Sequence, residues 1–94
     1  RYGARLIVDE AHATAIFGPN GAGLAHPSLV SGVFARIHTF GKGLGLHGAS
    51  ISGSTQVKEY LINFARPFIY TTALPPFAYR AIHRAFEYLI KHPE

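Results

Sequence analysis

Leu6-Ile7-Val8 is a branched apolar run that stops abruptly on Asp9-Glu10, and it restricts the fold more than any other feature of the chain. Apolar residues without polar alternation mark a strand covered on both faces, as in the parallel sheets of α/β proteins. Such sheets bind their ligands outside the carboxyl ends of the strands. Asp9 is therefore predicted to end a buried parallel strand at the edge of a site.

The remaining chain supplies the other layers. Val33 to Thr39 alternates, with Val33, Ala35, Ile37 and Thr39 on one side and Phe34, Arg36 and His38 on the other; this second strand runs into Gly41-Lys42-Gly43. Gly18-Pro19-Asn20-Gly21-Ala22-Gly23 is turn chemistry, and Gly48 to Gly53 is a short glycine-bounded strand. Ser54 or Thr55 caps a helix with Val57, Tyr60, Leu61 and Phe64 on one face, which stops before Pro67. Phe68-Ile69-Tyr70 is a further apolar run. Pro75-Pro76 opens a last helix, with Ala78, Ala81, Ile82, Ala85, Phe86 and Leu89 inward and Arg80, His83, Arg84, Glu87 and Lys91 outward. Three short strands and two amphipathic helices form an α/β layer structure with an incomplete sheet.

Composition removes several classes of function. With 48% hydrophobic and 15% charged residues, the 94-residue chain has the balance of one globular domain, and zero cysteines exclude a disulfide-stapled secreted protein. It starts Arg1-Tyr2-Gly3 and contains no Met, which reads as a segment of a longer chain, without a signal-peptide pattern. No apolar run approaches the roughly 18–20 residues that cross a bilayer, so a soluble, cytoplasmic protein is expected. The net charge is +4, but the nine Lys and Arg residues are dispersed singly and form no basic stripe for nucleic acid.

Two readings of the chemistry compete. Asp9-Glu10-Ala11-His12 after an apolar strand is also how a DEAH-type nucleotide hydrolase presents Mg²⁺ ligands. That reading needs a phosphate loop, and around Gly41-Lys42 the glycine position of G-x-x-x-x-G-K-[ST] is Arg36 while the residue after the lysine is Gly43. No paired-histidine spacing points to a metal site. The second reading joins Asp9 and His12 to Lys42, which stands among Thr39, Gly41, Gly43 and Gly45 in backbone of little bulk. A lysine ammonium there is costly to desolvate, so its pKa is expected to fall, freeing the amine for a Schiff base with an aldehyde. Pyridoxal phosphate is the aldehyde that gains most, and a carboxylate such as Asp9 keeps its pyridine nitrogen protonated.

The strings VDEAHATAIFG at 8–18, TFGKGLGLHGA at 39–49 and ARPFIYTTALPP at 65–76 resemble the α-oxoamine synthases, pyridoxal-phosphate enzymes of the aspartate-aminotransferase fold. The resemblance implies that residues 1–94 are part of the three-layer major, cofactor-binding domain of that fold type I architecture. It implies that Lys42 forms the Schiff base, Asp9 pairs the pyridine nitrogen, His12 bonds the cofactor's phenolic oxygen and Thr39 contacts its phosphate. Thr71 matches a position that reaches the phosphate held by the other subunit of a homodimer. The implied reaction is a decarboxylative condensation of an amino acid with an acyl thioester, with Lys42 as proton shuttle. The strings are most similar to the biotin-biosynthetic branch, which uses L-alanine and a pimeloyl thioester on CoA or a carrier protein. The alternatives are another oxoamine synthase, such as a 2-amino-3-ketobutyrate CoA ligase, a 5-aminolevulinate synthase or a serine palmitoyltransferase, and a fold type I aminotransferase; Gly48-Ala49-Ser50 and the phrase at 69–76 favour a synthase over the aminotransferase. The chain departs from the family where Thr14-Ala15 replaces a small residue and glycine, and where Ala22 replaces a common arginine.

Overall fold

The computed structural model describes residues 2–28 and 30–93. Strand β1 (Leu6–Asp9) pairs in parallel with β2 (Val33–Thr39), and β2 pairs antiparallel with β3 (Ala49–Gly53), so β2 is the centre of a mixed sheet of order β1-β2-β3. The register sets Val8 beside Arg36 and Asp9 beside Ile37 in one ladder, and Thr39 beside Ala49 in the other. The alternation predicted for β2 is visible in its contacts. Arg36 Nε donates to the Ala25 carbonyl and His38 meets Thr14, so this face carries the connection from β1, while Ala35 on the other face is buried.

Parallel strands need a long connection, and this one is built from turns. Its one regular piece among the described residues is a 3-10 turn at Pro19–Gly21. Ala15 N–H donates to the Gly21 carbonyl at 2.7 Å and Gly23 N–H to the Phe17 carbonyl at 2.8 Å, which folds the glycine-rich segment back on itself. A Cβ at Gly21 would stand 2.8 Å from the Ala15 Cα, so the close approach requires glycine.

Helix α1 (Thr55–Phe64) is capped by Ser54, whose side chain accepts from Val57 N–H at 3.3 Å, and ends before Pro67 as predicted. Phe68 and Ile69 lie in a single helical turn, α2 (Arg66–Ile69), with Tyr70 as its C-cap. Helix α3 (Pro76–Lys91) starts on the proline pair. Its inward face holds buried Ala78 and sets Phe86 edge-on against Phe40, with centroids 5.8 Å apart. A Cβ at Gly48 would meet Leu74, Phe40 and Ile82, so this glycine lets the start of β3 approach α3.

One expectation is overturned. Leu6 and Ile7 are 52% and 58% exposed, so β1 is not buried on both faces in this chain. Among the described residues it lies at the sheet edge, paired with β2 alone, while the helices pack against β3, Phe40 and the 3-10 turn. Among the described residues no helix is long and apolar enough to cross a membrane.

Candidate functional site

The carboxyl ends of β1 and β2 lie side by side because the two strands are parallel. Asp9 is opposite Ile37, and Thr39, two residues farther on, shares that face of the pleat. Asp9 Oδ1 accepts from Ala11 N–H at 2.9 Å, an Asx-type turn that fixes the carboxylate at the strand end. Its second oxygen makes no hydrogen bond among the described residues and is left for another donor. His12 is exposed in the turn that follows and lines a concavity together with Asp9, Phe17 and Leu24.

Thr39 Oγ1 is buried with no hydrogen-bond partner among the described residues. Buried hydroxyls ordinarily have one, since the lost hydration costs about 1–3 kcal/mol. Beyond it, Phe40 N–H donates to the Gly48 carbonyl at 2.9 Å and Leu46 N–H to the Phe40 carbonyl at 2.7 Å, closing the loop that carries Lys42. Gly45 N–H donates to the Lys42 carbonyl at 2.9 Å within it. This loop packs on the turn after Asp9: a Cβ at Gly43 would lie 2.5 Å from the Thr14 carbonyl oxygen and 3.0 Å from Ile16. The fold thus gathers Asp9, His12, Thr39 and the Lys42 loop at one end of the parallel pair. Thr71 is exposed between α2 and α3, and no hydrogen bond among the described residues ties it to that group. Lys42 is exposed on its loop.

The supporting residues on the opposite face were missed in the sequence. Glu10 is 3% exposed, and its carboxylate accepts from the amides of Leu24 (3.2 Å) and Ala25. Thr14 Oγ1 donates to the Glu10 carbonyl at 2.8 Å and lies 3.1 Å from His38 Nδ1. The single hydroxyl proton is used on the carbonyl, so His38 Nδ1 carries the hydrogen that completes the chain. Burial holds the His38 pKa below its usual value; the charge of Glu10 opposes this and that of Arg36 adds to it. The alternation of β2 already put His38 with Arg36, away from Thr39, and was the one available signal. This arrangement also overturns the nucleotide-hydrolase reading. The pleat sends Asp9 and Glu10 to opposite faces, and Glu10 is engaged with backbone amides, so the two cannot share one cation.

The orphaned Thr39 hydroxyl, the unpaired oxygen of Asp9 and an accessible lysine amine in a glycine loop are a donor, an anion and a nucleophile. They fit a ligand that presents an acceptor such as a phosphate oxygen, a protonated ring nitrogen and an aldehyde. The family model described as aminotransferase class I and II matches residues 1–92. An 8-amino-7-oxononanoate synthase of Emericella nidulans is 48% identical over 88 residues, which cover 92% of this chain and 21% of that protein. The solved 8-amino-7-oxononanoate synthase of Francisella tularensis superposes with a TM-score of 0.79 at 38% identity, covering 90% of this chain and 26% of its own. A serine palmitoyltransferase solved with PLP gives a TM-score of 0.81 at 31% identity, over 94% of this chain and 22% of its own. The chain therefore spans about a fifth to a quarter of the length of the relatives it matches. The family match runs through the strings bearing Asp9, Thr39 and Lys42, and on it the chain belongs to the aminotransferase class I and II family, with α-oxoamine synthases as the relatives it resembles.

Proposed function

We propose that residues 1–94 are part of the cofactor-binding major domain of a longer pyridoxal-phosphate enzyme, an α-oxoamine synthase. The observation that carries this reading is the buried Thr39 hydroxyl, without a partner among the described residues, on the same face as Asp9 and next to the Lys42 loop. Thr39 Oγ1 would donate to the cofactor phosphate, and the free oxygen of Asp9 would pair the pyridine nitrogen. His12 would bond the phenolic oxygen. Lys42 Nζ would be the amine that holds the cofactor through its aldehyde and, when released from it, would move the proton at the substrate's α-carbon. Bound pyridoxal phosphate supplies the electron sink for negative charge at that carbon.

The resemblance to the biotin-biosynthetic branch implies the substrates, L-alanine and a pimeloyl thioester, which would be joined with release of carbon dioxide and the thiol; the relatives named 8-amino-7-oxononanoate synthase support that branch. The enzyme would be a cytoplasmic homodimer in which Thr71 of one subunit supports the phosphate held by Lys42 of the other. The test is to supply the full-length protein with L-alanine and pimeloyl-CoA and measure both carbon dioxide release and the condensed amino ketone. Both products are expected, in equal amounts. Transfer of alanine's amino group to a keto acid, without carbon dioxide release, would instead identify an aminotransferase.

A further inference from the structure

We infer that Glu10 is a positioning residue, a buried clamp that bolts the Gly18–Ala25 loop to the strand end and so sets the turn bearing Asp9 and His12. The inference rests on the reading that this turn faces the cofactor. Six hydrogen bonds and one close approach carry it. The Glu10 carboxylate holds the Leu24 and Ala25 amides, one on each oxygen. Its backbone N–H donates to the Ile37 carbonyl at 2.8 Å, tying the same residue to β2 at Asp9's own register partner. Its carbonyl accepts from Ala13 N–H (2.9 Å), Thr14 N–H (2.8 Å) and the Thr14 hydroxyl (2.8 Å), which forms the turn on which His12 rides. Gly23 leaves room for the carboxylate, since a Cβ there would stand 2.7 Å from the Glu10 Cδ.

A side-chain carboxyl buried this far is unfavourable unless it is hydrogen-bonded, so its position is well determined once the two amides are in place. Glutamate reaches across that gap and aspartate, one methylene shorter, does not. Glutamine keeps the shape but turns an NH₂ toward one amide N–H, so it preserves one bond and loses the other. The residue next to the proposed cofactor ligand thus acts through the loop behind it.

The test uses the full-length protein as wild type, Glu10→Gln and Glu10→Asp, with two readouts. Amide hydrogen exchange in the cofactor-free protein reports the clamp itself: protection at Leu24 and Ala25 is expected to fall about tenfold in Glu10→Gln and further in Glu10→Asp. The pH titration of the visible band of the PLP-loaded protein reports the position of Asp9 and His12. Its midpoint is expected to move by about half a pH unit in Glu10→Gln and by more in Glu10→Asp, a ranking that follows the bonds retained. Lost amide protection with an unmoved midpoint would make Glu10 merely structural and overturn the inference. So would unchanged protection, or failure of both variants to fold. A wild-type protein with no visible band would contradict the proposed function instead, and the exchange measurement would still decide the clamp.

Discussion

Gly43 lies so close to the Thr14 carbonyl oxygen that a Cβ built on the glycine would stand 2.5 Å from it. The loop bearing Lys42 and the turn that follows Asp9 therefore meet backbone to backbone, and their spacing is set by the absence of a side chain. The contact joins two sequence motifs separated by a whole strand and links the fold to the proposed chemistry.

Replacing Gly43 by Ala must push the loop away from Thr14 and Ile16. Overpacking against backbone costs about 1–3 kcal/mol, so Gly43→Ala is expected to lower the urea midpoint of the full-length protein and to weaken PLP binding about tenfold or more. Gly41→Ala is the control, because a Cβ there meets only the Leu46 carbonyl oxygen, at 3.6 Å, an ordinary contact. Equal behaviour of the two variants in denaturation and PLP titration would remove the contact from the account.

Ala15 has a φ of 67°, in the left-handed region that favours glycine. A Cβ is strained there by roughly 1 kcal/mol or more. Ala15→Gly is accordingly expected to stabilise the protein by about 1 kcal/mol, read as a rise in denaturation midpoint, whereas most glycine substitutions destabilise. A fall would mean that the alanine packs better than its backbone suggests.

His38 gives a pH dependence whose sign can be worked out. Burial holds its folded pKa below the unfolded value of about 6.5. The unfolded chain therefore binds the proton more readily as pH falls from about 7.5 toward the folded pKa, and stability declines over that window. The contribution is fully present above the unfolded pKa. Denaturation midpoints measured from about pH 8 to pH 5.5 should fall, and His38→Gln should flatten the slope. An unchanged slope would assign the acid sensitivity to another group.

Some of this molecule was legible in the sequence and some was not, for identifiable reasons. The start of α3 follows from Pro75-Pro76 and its inward face from the spaced alanines, and the Lys42 loop from its glycines, because these signals are local. Asp9 was recognisable as a strand end for the same reason. Glu10 was not separable from Asp9: the pleat sends adjacent residues to opposite faces, but only the returning Leu24-Ala25 segment shows which one is buried. The exposure of Leu6 and Ile7 was equally invisible, since an apolar run states a preference for cover and not what covers it. The positive φ of Ala15 lies in a turn whose N–H donates to the Gly21 carbonyl, a contact that no spacing rule encodes.

The central claim is that Lys42 holds the cofactor, and the most direct measurement is borohydride reduction of the full-length protein loaded with pyridoxal phosphate, followed by peptide mass mapping. The account predicts loss of the visible band and a pyridoxyl-phosphate adduct on the peptide containing Lys42. An adduct on Lys58, Lys91 or a lysine outside residues 1–94, with Lys42 unmodified, would contradict it.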